Sequence, residues 1–156
     1  MNRRDFLMAG TAAALSTPWF SPASAQERGS KDEAKALVEA AVAHAKKVGA
    51  EQAFKDFQND KATWFKKDLY VFAYDMKGVC QAFGSNDKMV GKDLMELKDP
   101  NGKFIMKEFI ALVSSKGSGW VEYDFTNPVT KKMGSKASYL QKLPNFDGFL
   151  GVGAYL

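Results

Sequence analysis

Gly117–Leu156 reads GSGWVEYDFT NPVTKKMGSK ASYLQKLPNF DGFLGVGAYL. Residues 120–125, 136–143 and 149–155 are rich in aromatic and β-branched side chains, which suit a pleated, half-buried surface. Asn127-Pro128-Val129-Thr130 separates the first pair, and Pro144-Asn145-Phe146-Asp147-Gly148 the second. Asn, Asp, Gly and Pro supply the backbone angles that turns require. Links this short join antiparallel neighbours, because a parallel crossover needs a dozen residues or more. The C-terminal third is therefore expected to be a three-stranded antiparallel meander.

Working upstream, residues 103–115 place Ile105, Phe109, Leu112 and Val113 at i, i+4, i+7 and i+8, the spacing of an amphipathic helix. Asp99-Pro100-Asn101-Gly102 is a turn ahead of it, and Gly117-Ser118-Gly119 ends it. Residues 69–74 and 79–83 flank Lys77-Gly78 and read as a hairpin, followed by a polar loop from Gly84 to Gly91. Ser30-Lys31-Asp32-Glu33 has the S-x-x-E form of a capping box. A helix follows it, with Leu37, Val38, Ala41, Val42, Ala45 and Val48 as one apolar stripe and Gly49 at its C-terminal boundary. A second helical piece runs through Ala53, Phe54 and Phe57. The order is helix, helix, two strands, helix, three strands. It predicts an α+β domain, a five-stranded antiparallel sheet with a long N-terminal helix laid on it and the first hairpin joining at one edge.

The chain has 156 residues, enough for one domain, with 22 Lys and Arg against 18 Asp and Glu. Charge of both signs is mixed along the sequence. Arg28 is the only arginine beyond residue 4, so bidentate phosphate reading is poorly supplied and no nucleic-acid partner is expected. The single cysteine, Cys80, excludes a disulfide framework within the monomer and any thiolate metal cluster. It is expected to be a buried structural thiol, the alternatives being a covalent dimer or a redox role. The single histidine, His44, leaves no parts for a multi-histidine metal site.

Residues 1–25 read as a leader. Arg3-Arg4 precede an apolar run from Phe6 to Leu15 that is too short to span a bilayer, and Ala23-Ser24-Ala25 has the small-x-small form of a cleavage site. The paired arginines followed by Phe6-Leu7 predict twin-arginine export to the periplasm and cleavage before Gln26, with retention of the leader as a tether as the lesser alternative.

Several blocks together resemble the single Cache domain family. They are Tyr70-Val71-Phe72, Asp75-Met76-Lys77-Gly78, Val90-Gly91-Lys92-Asp93-Leu94, Asp99-Pro100-Asn101-Gly102-Lys103, Gly117 through Tyr123, Asn127-Pro128-Val129-Thr130, Lys136-Ala137-Ser138-Tyr139 and Gly151-Val152-Gly153. The resemblance covers residues 30–156. It implies a PAS-like sheet with a long N-terminal helix, serving as an extracytoplasmic sensor that binds a small ligand, often a small carboxylate, in a pocket on one sheet face. One departure stands out: Phe83 occupies a position where the family pattern has a histidine, which implies a more apolar pocket or a different ligand. The expectation is a stand-alone form that passes its signal to a membrane receptor or transducer protein, or simply carries ligand.

For the site, the resemblance implies that Lys136 pairs with a carboxylate and that Tyr123 and Tyr139 donate hydroxyls, with Ser138 beside them. It makes Tyr70, Phe72, Phe83 and Trp120 the walls. A small organic anion needs such a cation, donors and apolar walls. Strand period complicates the grouping. Lys136 and Ser138 share one face of a strand while Tyr139 lies on the other, and Trp120 and Tyr123, three apart, divide likewise unless a bulge re-aims one of them. A solvated edge-strand lysine is the competing reading of Lys136. Catalytic readings find few parts: only His44 could serve as a base for a nucleophile, Glu122 and Asp124 suit an exposed strand face, and Gly151-Val152-Gly153 precedes no helix that could cradle phosphate. No catalytic residue, metal or cofactor is expected. An assembly partner of an exported complex, and less so a cofactor-bearing enzyme, are the alternatives.

Overall fold

The computed structural model describes residues 27–156; the leader assigned to residues 1–25 lies outside them. The first helix, α1 (Lys31–Val48), starts where the capping box places it. Ser30 Oγ accepts from Glu33 N at 3.1 Å and the Glu33 carboxylate accepts from Ser30 N at 2.7 Å. Gly49, at φ +89°, breaks the chain direction, and α2 (Ala50–Asn59) follows at once. A short α3 (Lys61–Trp64) leads into β1 (Phe65–Lys66) and β2 (Leu69–Tyr70), which pair as a separate two-stranded sheet.

The main sheet contains β3 (Phe72–Asp75), β4 (Cys80–Phe83), β5 (Ser118–Thr126), β6 (Met133–Lys142) and β7 (Gly148–Tyr155), in the order β4-β3-β7-β6-β5. Every pairing is antiparallel. The first hairpin thus adds beside β7, at one edge of the meander, as the sequence order requires. The remaining helix, α4 (Ile105–Lys116), ends at Gly117 in the left-handed conformation at φ +75°.

Period-two alternation splits the interior into two cores. Val71, Ala73, Ala82, Leu150, Val152 and Ala154 face α1 and α2, where Leu37, Val38, Ala41, Val42 and Phe57 cover them. Phe72, Tyr74, Phe83, Tyr123, Leu140 and Phe149 face α4 and its lead-in loop, where Leu94, Met106 and Phe109 cover them. β7 is buried along its whole length because it is central and covered on both faces. Val48, placed in the stripe by its spacing, is 38% exposed, since the chain turns away at Gly49.

One expected strand divides in two. Leu69 and Tyr70 pair with Lys66 and Phe65, and only from Phe72 does the chain join β4 and β7. The turn between β1 and β2 has no glycine or proline to announce it. Lys67 itself takes the left-handed conformation, at φ +58°.

Candidate binding cavity

Lys136 stands on β6, between β5 and β7, so it is not an edge-strand residue. Its side chain is 1% exposed. The solvated alternative therefore falls. What lets the long stem lie flat against the sheet is its neighbour on β7. Ser138 pairs with Gly153, and a Cβ at 153 would overlap both Lys136 Cε and Ser138 Oγ. Gly151 does the same for the Phe72 ring. The alternation Gly151-Val152-Gly153 thus carves a trough on the α4 face while Val152 fills the α1 face.

The ammonium ends in an aromatic enclosure. Nζ donates to Tyr70 Oη at 2.9 Å. It lies 4.5 Å from the Tyr70 ring centre, 5.2 Å from Tyr155, 5.3 Å from Phe125 and 5.7 Å from Phe72. Cation–π attraction offsets part of the cost of removing the charge from water. Burial still pushes the Lys136 ammonium down to about 7, against an opposing pull from Asp68. Among the described residues no carboxylate lies within ion-pair distance of Nζ. Asp68 is itself buried, accepting from Gly29 N at 2.8 Å and Asn127 Nδ2 at 3.1 Å.

Tyr123 Oη and Ser138 Oγ share a hydrogen bond of 2.7 Å beside the lysine. Tyr155 Oη donates to Thr126 O at 2.8 Å. Burial raises the pKa of Tyr70, Tyr123 and Tyr155, so all three stay neutral hydroxyls. Burial also pushes the Cys80 thiol up to about 12, which argues against a reactive thiolate.

Lys136, Tyr70, Tyr123, Phe72 and Phe125 line a cavity closed over by Met106 and Phe109 of α4. Its free volume is about 10 Å³, room for roughly one water. A cleft of about 450 Å³ adjoins it. Tyr70, Phe83 and Phe125 wall both spaces, with the Phe83 and Phe125 ring centres 6.3 Å apart. Ser85, Asn86, Asn127 and Lys131 give the cleft a polar outer rim.

The structure brings together five of the eight expected site residues, Lys136, Tyr123, Tyr70, Phe72 and Phe83, and sets Ser138 behind Tyr123. Trp120 and Tyr139 do not join them. They pair across β5 and β6 on the opposite face, ring centres 5.2 Å apart, against the α1 core. Lys31 Nζ sits 4.6 Å over Trp120 and Lys35 Nζ 5.4 Å over Tyr139. The register between β5 and β6 runs unbroken from Ser118 to Thr126, so no bulge re-aims either residue. Their assignment to the site is corrected on that ground: strand period separates them from Lys136. Tyr155, Phe125, Gly153 and Asp68 were missed. Two glycines two residues apart in one strand, with a lysine and a serine two residues apart in the strand before it, were the available signal for the trough.

His44 lies elsewhere, as a packing residue of the helical layer. Its Nε2 is 2.7 Å from Asp56 Oδ2, and its ring packs 5.1 Å from Trp64.

Comparison with known proteins adds to this geometry. The family model described as Cache domain matches residues 31–156. A sensor histidine kinase, MctS of Rhizobium johnstonii, is 29% identical over 92 residues, which is 59% of this chain and 20% of that protein. A methyl-accepting chemotaxis protein, McpP of Pseudomonas putida, is 26% identical over 96 residues, 62% of this chain and 18% of that one. The chain thus spans about a fifth of the length of these curated relatives. Among solved structures, a methyl-accepting chemotaxis protein from Vibrio parahaemolyticus is 29% identical with a TM-score of 0.70, over 80% of this chain and 87% of that one. A Cache chemosensory domain described for carboxylic acid recognition is 26% identical with a TM-score of 0.68, over 80% and 92%.

Proposed function

The chain belongs to the Cache domain family, and on that premise we propose that it is an extracytoplasmic ligand-binding domain that holds a small organic acid against Lys136. The observation that carries this reading is the buried ammonium itself. A charge enclosed by rings and hydroxyls, with no carboxylate of the protein within ion-pair distance among the described residues, is costly unless something compensates it. A ligand carboxylate is the compensation that fits. Lys136 supplies the cation, Tyr70 and Tyr123 the hydroxyls, and Phe72, Phe109 and Phe125 the apolar walls. That a related Cache chemosensory domain is described for carboxylic acid recognition supports the same class of ligand.

Entry requires movement. Space for about one water does not hold an organic acid, so the ligand displaces the Phe83 and Phe125 rings that part the cavity from the cleft. Phe83, in place of the histidine expected from the family pattern, makes that partition apolar.

Export by the twin-arginine route, cleavage before Gln26 and a mature domain over residues 30–156 belong to the same proposal. No helix among the described residues is long and apolar enough to cross a membrane. The partner that receives the signal is proposed to be a membrane receptor or transducer, as the sensor kinase and chemotaxis relatives suggest.

A thermal-shift screen of C1–C5 monocarboxylates, dicarboxylates and amino acids tests the binding. A ligand at about 100 times its Kd stabilises the folded state by roughly 2.7 kcal/mol, several degrees for a domain of this size. Absence of any shift at millimolar concentration would favour the assembly-partner reading.

A further inference from the structure

We infer that this site takes up its carboxylate together with a proton, so that acid binding and protonation of Lys136 are one coupled event. The inference rests on the binding reading above and adds how the site is regulated.

Among the described residues Lys136 Nζ has one hydrogen-bond acceptor, Tyr70 Oη at 2.9 Å, and otherwise faces aromatic rings. The titratable groups of every surrounding element are few. Ahead of β2 stands Asp68, both of whose carboxylate oxygens are already engaged, by Gly29 N and Asn127 Nδ2. β2 itself gives Tyr70, β3 gives Tyr74, β4 gives Cys80, β5 gives Tyr123 and β7 gives Tyr155. α4 presents Met106 and Phe109, neither of which titrates. Burial raises the pKa of each of those tyrosines and of the thiol, so none turns negative near neutral pH. Among the described residues the ammonium therefore faces a single, preoccupied carboxylate.

Two consequences follow. In the unliganded cavity the lysine is divided between its charged and neutral forms near pH 7. A carboxylate placed on Nζ supplies the missing counter-charge and restores the ammonium. Above that range the acid binds as an anion and the lysine captures one proton, so the pair enters with no net change of charge. Affinity then weakens close to tenfold per pH unit above about 8 and levels off below about 6, as linkage to one proton dictates. A dicarboxylate would leave its second charge unmatched in the cavity and bind more weakly.

Isothermal titration calorimetry of the wild-type protein tests this, with sodium propionate as the probe and acetate and butyrate beside it. Each titration is run in two buffers of different ionisation enthalpy. Linkage to a group titrating at about 7 gives an uptake of about 0.9 proton per ligand at pH 8 and about 0.1 at pH 6. In parallel, NMR of 13Cε-labelled lysine should show one lysine titrating near neutral pH without ligand and well above pH 9 with it. Binding heat that is the same in both buffers at pH 8, or a Lys136 that titrates at the ordinary lysine value without ligand, overturns the coupling and leaves the site standing. No binding heat from any of the three acids removes the site reading, and the coupling with it.

Discussion

Replacing Lys136 by Met should make the unliganded protein more stable, and by an amount that depends on pH. Met keeps the length of the stem and its contacts over Gly153, and removes the charge. In the folded state the lysine pKa falls from 10.5 to about 7. Between those values the unfolded chain binds more protons than the folded one, so wild-type stability rises with pH across that window. Below it the penalty is fully present. Each pH unit corresponds to about 1.4 kcal/mol, so the whole depression amounts to roughly 3–5 kcal/mol. The variant lacks this term. Urea unfolding of both proteins should show Lys136→Met ahead at pH 6.5, and the gap should narrow by roughly 2–3 kcal/mol on going to pH 9. Loss of the amine as a partner for Tyr70 adds an offset that is nearly constant in pH, so the narrowing of the gap is the diagnostic. A gap that stays constant over this range would show that the lysine is not held in the cavity as described.

Three further outcomes are expected. Gly153→Ala puts a methyl group into Lys136 Cε and Ser138 Oγ, and should cost about 1–3 kcal/mol in unfolding experiments while also weakening any acid bound there. Leu37→Asp and Val42→Asp each place a charge where α1 covers the sheet, forfeiting roughly 1.5–3 kcal/mol of apolar burial, so both melting temperatures should fall by several degrees; unchanged melting would mean that α1 is not docked. Changing Arg3 and Arg4 to lysine should leave precursor in the cytoplasm, whereas normal periplasmic accumulation would point to a different export route.

Much of the fold was legible because its signals are local. The Ser30–Glu33 capping box, the turn at Asp99-Pro100-Asn101-Gly102 and the apolar spacing of α4 each act within a few residues, and each appears where the sequence places it. Asp99 closes that turn by accepting from the backbone N–H groups of Asn101 and Lys103, both at 2.9 Å. The β1–β2 hairpin was missed because Lys67 adopts a left-handed turn conformation without being glycine. The site was legible in part. Strand period alone put Lys136 with Ser138 and separated Tyr139, and the unbroken β5–β6 register confirms that separation. What period cannot give is depth. Whether a lysine on an alternating strand meets solvent or a closed cavity depends on α4 and on Gly153 of the neighbouring strand, both distant in sequence. Phe125 and Tyr155 meet the lysine only because β5, β6 and β7 align, so no local spacing could have named them.

A small carboxylate is expected to lie on Lys136 inside the sheet-side cavity. A crystal structure of the protein grown with a saturating monocarboxylate from the screen tests it most directly. A carboxylate oxygen should lie within hydrogen-bond distance, about 2.7–3.2 Å, of Lys136 Nζ, with the Phe83 and Phe125 rings moved apart to admit it. Density for the acid only in the outer cleft, or a cavity still closed around Lys136 with a bound acid elsewhere, would contradict it.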